Sequence, residues 1–279
     1  MESGGSYAIL SLHKTDTVKL LQFREEMYVN MQSAILASWP PGIQSSGPFT
    51  STPHSYQFKL KGKPFGWMND QDSVGGVRLI RDLLAFLYHH NWEIVTSLSC
   101  ARRLSAKDMV VFRPRPPTAG LTLPRDWLAV SPSRTDRLYI IGDSQPNFET
   151  ATTSAADHTP GHIARLTMSL TEMIKEMDLL QKSEAKYQWV EYKLKGRPWL
   201  YGGDSAVKTR LMLLRMFEKL EASGWTSHAS IQHRTGNDDK RMVDTMFFSR
   251  LRVPWKLGEA LELGKELVAA VTGSVGCGS

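Results

Sequence analysis

The chain has 279 residues, 41% apolar and 22% charged, with 34 Lys and Arg against 28 Asp and Glu. That fits one large or two ordinary globular domains, and a chain of this size buries roughly 75% of its unfolded surface without disulfide or metal staples. Two cysteines, no apolar run of ~18 residues and an N-terminus (Met1-Glu2-Ser3-Gly4-Gly5) without a basic or apolar leader argue against a secreted disulfide scaffold, a membrane helix and a signal peptide. The expectation is a soluble protein of the cytoplasm or nucleus, and the net charge of +6 permits acidic partners without specifying one.

In chain order, Tyr7 to His13 alternates in polarity and predicts a strand, Lys14-Thr15-Asp16 a turn, and Val18 to Phe23 a second strand. Phe23, Met27, Met31 and Ile35 step by four, which predicts a helix from about Arg24 to Ser38, stopped by Trp39-Pro40-Pro41-Gly42. Residues 40–55, rich in Pro, Ser, Gly and Thr, read as a surface loop. Tyr56 to Leu60 reads as a strand with Tyr56, Phe58 and Leu60 on one face and Lys59, Lys61 and Lys63 on the other. A helix follows, with Val74, Leu79, Leu83, Leu84 and Leu87 on its apolar side. Asn91-Trp92 ends it and opens a closing pair of strands that reaches Arg113.

The run Pro114-Arg115-Pro116-Pro117-Thr118-Ala119-Gly120, with Pro124 just beyond, predicts a stiff linker. After it the pattern starts again. Thr135-Asp136 repeats Thr15-Asp16, Tyr192-Lys-Leu-Lys-Gly-Arg-Pro-Trp199 repeats Phe58-Lys-Leu-Lys-Gly-Lys-Pro-Phe65, and Gly224-Trp225 repeats Asn91-Trp92. Val207, Met212, Met216, Phe217 and Leu220 match the apolar positions of the first helix. Residues 142–161 are polar, and Ile163 to Leu180 predicts one long amphipathic helix. Pro254 opens a last helix with Leu257, Leu261 and Leu267 on one side, and a Gly- and Ser-rich tail follows.

The fold expectation is therefore α+β: two tandem repeats of a ββαβαββ unit, mainly antiparallel sheets with helices packed on one face, plus a C-terminal helix. The predicted divisions are 1–114, a linker over 115–125, 126–253, the helix 254–272 and a disordered tail over 273–279. Whether the two sheets stay separate or join into one saddle is left open.

Like charges two residues apart on a strand repel one another, and an anion relieves that. The candidate ligand-binding residues are accordingly Lys59, Lys61, Lys63, Lys193, Lys195 and Arg197, with Arg102, Arg103 and Arg241 from neighbouring turns. The structural alternative is that lysines on an exposed strand blunt edge-to-edge aggregation. The aromatics Phe58 and Tyr192 fall on the face opposite the lysines, which is not the arrangement of an RNA-recognition sheet.

His158 and His162 have the spacing of helical metal ligands, but Pro160-Gly161 lies between them and no third ligand stands out. Ser205-x-x-Lys208 matches a nucleophile pattern, yet Asp204-Ser205 suits a helix cap. Gly202-Gly203 lacks the Gly-Lys-Ser/Thr ending of a phosphate loop. No cofactor, no metal and no catalytic set is expected. The functional expectation is a non-enzymatic intracellular binding or scaffold protein that engages an acidic protein partner through its basic strands. The alternative is a nucleic-acid binder using the same strands, and a third reading is an enzyme with a site between the copies.

Overall fold

The structure, a computed structural model, describes residues 7–66, 70–99, 107–115, 123–142, 162–186, 189–200, 203–233 and 244–252. The C-terminal helix expected over 254–272, the tail after it and most of the linker lie outside the described residues.

The first unit runs β1 (Ala8–His13), β2 (Thr17–Leu21), α1 (Glu25–Ser38), β3 (Ile43–Gly47), β4 (Ser55–Leu60), α2 (Asp70–His89), β5 (Trp92–Leu98) and β6 (Met109–Pro114). The second runs β7 (Arg125–Ser133), β8 (Arg137–Ile141), α3 (His162–Glu176), β9 (Leu180–Lys186), β10 (Trp189–Leu194), α4 (Gly203–Ala222), β11 (Thr226–Ile231) and β12 (Thr245–Leu251). Each unit forms one six-stranded sheet, in the order β3-β4-β2-β1-β6-β5 and β9-β10-β8-β7-β12-β11. The orders correspond strand for strand and every pair is antiparallel. The chain is thus a tandem α+β duplication.

Each unit carries one edge strand more than the sequence pattern predicted. β3 lies in the stretch read as loop, and β9 starts at the last residue of the helix expected over Ile163 to Leu180, which ends at Glu176, and fills a stretch for which no element was predicted. Both are polar edge strands with exposed centres, so neither shows the alternation that a half-buried strand imposes. On β9, Lys182, Glu184 and Lys186 charge the open edge and oppose pairing with another chain.

The repeated Lys-Leu-Lys-Gly motif is a latch between β4 (or β10) and the hairpin turn. The Leu60 and Phe65 amides donate to the carbonyls of Asp16 and Thr15, and those of Leu194 and Trp199 to Asp136 and Thr135. Gly62 and Gly196 make the bend at φ +77° and +73°, a conformation that costs a side chain bearing Cβ. An indole N–H closes each latch, Trp39 to the Lys61 carbonyl at 2.9 Å and Trp199 to the Arg137 carbonyl at 2.7 Å. The two sequence repeats therefore recur because each half holds the other. Asn91 (φ 62°) and Gly224 (φ 80°) take the left-handed conformation at the helix ends, as their residue types suggest.

The sheets neither stay apart nor form a saddle. They meet along β5 and β11, where the Ser97 hydroxyl donates to the Ser230 carbonyl, and the Asp108 amide and carboxylate bind the carbonyl and amide of Gln232. α2 then lies between the sheets. Its own sheet supplies Leu10, Val18, Leu20, Phe58 and Phe112, and the second sheet supplies Trp127, Ala129, Tyr139, Ile141 and Phe247 to the same core. The opposite face of the second sheet (Leu128, Val130, Leu138, Ile140, Tyr192, Phe248) packs on α3 and α4. The order of layers is sheet, helices, sheet, helices. α2 is apolar on two sides because it is covered on two sides.

Candidate functional site

Two places concentrate polar chemistry: the outer face of the first sheet and the junction between the units. On β4, Phe58 and Leu60 point into the core and Lys59 points out, while Lys61 and Lys63 lie in the latch turn just beyond. All three lysines are exposed, and among the described residues none has a carboxylate within ion-pair distance. Register brings Lys59 beside Thr17 and Ser45, and Lys19 beside Ser11 and Gln57. The Lys19 ammonium sits 4.4 Å over the Phe49 ring, which occupies that aromatic face. Nearby, burial pulls the Lys107 ammonium down to about 8, with Asp16 acting in the other direction.

In the second unit the same positions differ. Lys195 pairs with Asp178, whose carboxyl this bond holds below the usual range. Lys193 is half-buried and shares its strand face with buried Glu191, which Arg137 and Lys186 neutralise. That face looks toward the first unit, while Lys59 looks away from the second. The two basic stripes therefore lie on different layers. Arg197 is exposed, and Arg102, Arg103 and Arg241 lie outside the described residues. The edge-protection reading of these lysines is overturned: β4 lies between β2 and β3, and β10 between β8 and β9, so neither is an edge. Sequence reasoning missed Lys19, whose place beside Lys59's strand is set by register.

At the junction, Tyr88 from α2 meets Trp127 and His228 edge-on, at 5.9 Å and 6.5 Å between ring centroids. Arg115 stacks over the Tyr88 ring at 4.3 Å, and Arg125 donates to the Tyr88 hydroxyl at 2.9 Å. Arg125 also donates to Ser249 Oγ at 3.1 Å, and that oxygen lies 2.6 Å from His228 Nε2. The arginine occupies a lone pair of the hydroxyl, so the hydroxyl proton points to a neutral imidazole. The pair has the elements of a serine nucleophile and its base, but Ser249 is fully buried in β12, where no substrate atom reaches Oγ. Both partners of Ser249, Arg125 and His228, belong to the second unit, and the bridge to the first unit is Tyr88.

Burial pushes the His228 imidazole down to about 4, with Arg125 adding to the shift and Glu93 opposing it. The unfolded chain, near 6.5, takes the proton first, so stability falls as pH drops from 6.5 toward 4. This group is expected to remove roughly 2–3 kcal/mol between pH 7 and pH 4. Denaturant melts of the wild type and His228→Gln at both pH values check it, and an equal acid loss in both proteins would refute the assignment.

His162 opens α3 with Arg165 Nη2 at 2.6 Å, while Asp157 and His158 lie outside the described residues. Among the described residues no group of three or more His, Cys, Asp or Glu is placed to hold a metal ion. No helix among them is long and apolar enough to cross a membrane. One domain-family model matches the chain twice, over residues 6–113 and 126–249. No curated protein and no solved structure matches it.

Proposed function

The chain belongs to the family of that domain, which it carries in tandem. We propose, from the charge distribution described above, that it is a non-enzymatic binding protein whose first unit engages an acidic protein partner. The observation that carries the proposal is the exposed trio Lys59, Lys61 and Lys63 without carboxylate neighbours among the described residues. At the matching positions of the second unit Lys195 pairs with Asp178, Lys193 lies half-buried on the face turned toward α2, and Arg197 is exposed. At these positions, among the described residues, the first unit thus keeps three exposed cations without an ion-pair partner, and the second unit one. Carboxylate side chains of a partner would supply the missing counter-charges at an exposed, water-accessible face, which favours fast, salt-sensitive association. Base stacking has less to work with, because Phe58 is in the core and Phe49 is capped by Lys19.

The test uses the full chain, a fluorescent oligoglutamate peptide and a single-stranded oligonucleotide, each titrated at low and physiological salt. Charge reversal at Lys59, Lys61 and Lys63 is expected to weaken peptide binding by about tenfold or more. The same reversal at Lys193 and Lys195 should change it by less than about twofold, since Lys193 is half-buried and Lys195 is paired with Asp178. Tighter oligonucleotide binding that the first variant abolishes would replace this reading with nucleic-acid binding. Unchanged binding of both probes would remove the surface from consideration.

A further inference from the structure

The outward side of α4 carries Val207, Leu211 and Leu214, which are 54%, 47% and 60% exposed, and Phe217 follows three residues on. The spacing of four and three residues makes one stripe on the helix. In the first unit the corresponding helix has Val74, Arg78 and Arg81 at these positions, counting from the shared Val74/Val207 alignment, and Arg81 there is 1% exposed beneath the second sheet. The duplicated helix thus carries leucines on the side that no described residue covers.

We propose that residues 254–272 of this chain form an amphipathic helix that lies antiparallel on α4 and covers this stripe. Three observations select that occupant. The chain leaves the second sheet at the right place: Arg250 donates to the Ser223 carbonyl, Thr226 pairs with Ser249, and Phe248 contacts Phe217, so the segment after Arg252 starts at the C-terminal end of α4. The length matches: nineteen residues of helix span about 28 Å, against about 30 Å for the 20 residues of α4, so a helix turned back along α4 reaches Val207. The pattern matches: Leu257, Ala260, Leu261, Leu267, Val268 and Val271 share one side, and Glu259, Glu262, Lys265 and Glu266 the other. Pro254 suits the first turn of such a helix, where its missing N–H costs nothing. The segment would complete the stack of layers by covering the last helix layer, as the second sheet covers α2.

Hydrogen–deuterium exchange on the full chain tests this. In the wild type, amides of 257–271 are expected to exchange at least ~tenfold slower than an unstructured peptide of that sequence. Leu257→Glu with Leu261→Glu should release that protection and also speed exchange in 207–217. Leu211→Glu with Leu214→Glu, at positions outside the core, should release the tail in return. Tail amides that exchange at unstructured rates in the wild type would overturn the proposal, as would tail protection indifferent to the α4 variant. Protection of α4 that rises with protein concentration, with a dimer in sedimentation, would assign the stripe to a second copy instead and equally overturn it.

Discussion

Arg81→Ala is expected to destabilise the protein by about 2–4 kcal/mol, the range for truncating a large buried side chain together with the hydrogen bond it makes between the units. Arg81 projects from α2 into the space beneath the second sheet and is 1% exposed. Its guanidinium donates to the Asp82 carboxylate and, through Nη1, to the carbonyl of Gly142, just past β8. Gly142 is 61 positions away in sequence, so this is a bond between the units and not a local pair. Alanine removes a large buried side chain and strands a carbonyl, while Asp82, 23% exposed, keeps Arg78 nearby. Arg81→Met keeps most of the volume and should recover part of the loss. The readout is the denaturant midpoint at constant m-value. An alanine variant within about 0.5 kcal/mol of the wild type would mean that the junction does not depend on this residue.

Gly76→Ala is expected to cost about 3 kcal/mol or more, an unusual figure for adding one methyl group. A Cβ at Gly76 would lie 1.9 Å from the Pro64 carbonyl oxygen and 2.8 Å from its carbonyl carbon. The obstacle is backbone in the latch turn, so no rotamer change relieves it. The second unit solves the same contact differently: Thr209 stands at the matching helix position, and its hydroxyl donates to the Pro198 carbonyl at 3.3 Å. Thr209→Ala should therefore cost only about 1 kcal/mol, the worth of one hydrogen bond. Thermal or denaturant melts of the two variants side by side give the comparison. Similar losses in both would show that the helices sit at the same distance from their latches.

Some of this was legible in the residues. The Lys-Leu-Lys-Gly repeat, the alternation in Tyr7 to His13 and the step of four from Phe23 to Ile35 mark strands and helices whose one face is buried. Burial on one face is what writes a period into sequence. Ile43–Gly47 and Leu180–Lys186 escaped because they are exposed edge strands, held by backbone bonds to β4 and β10 that impose no side-chain pattern. The basic stripe at Lys59 to Lys63 was visible as charge. Its unequal fate in the two units was not, because Asp178 and Glu191 enter the ion pairs only once the strands are in register.

A signal for the layer order was present too. Trp127-Leu-Ala-Val130 and Leu138-Tyr-Ile-Ile141 are unbroken apolar runs, the mark of strands covered on both faces, whereas β1 alternates as a strand covered on one. The residues alone therefore determined that the unit is duplicated and where its strands and helices with one buried face lie, and the apolar runs of β7 and β8 carried a burial signal that the sequence reading did not use. Only the tertiary structure decided that α2 is what buries these strands, and that an arginine in this helix is buried while the matching leucine in α4 is exposed. Periodicity records how much of an element is covered, but the identity of the cover depends on groups brought together from more than sixty positions away.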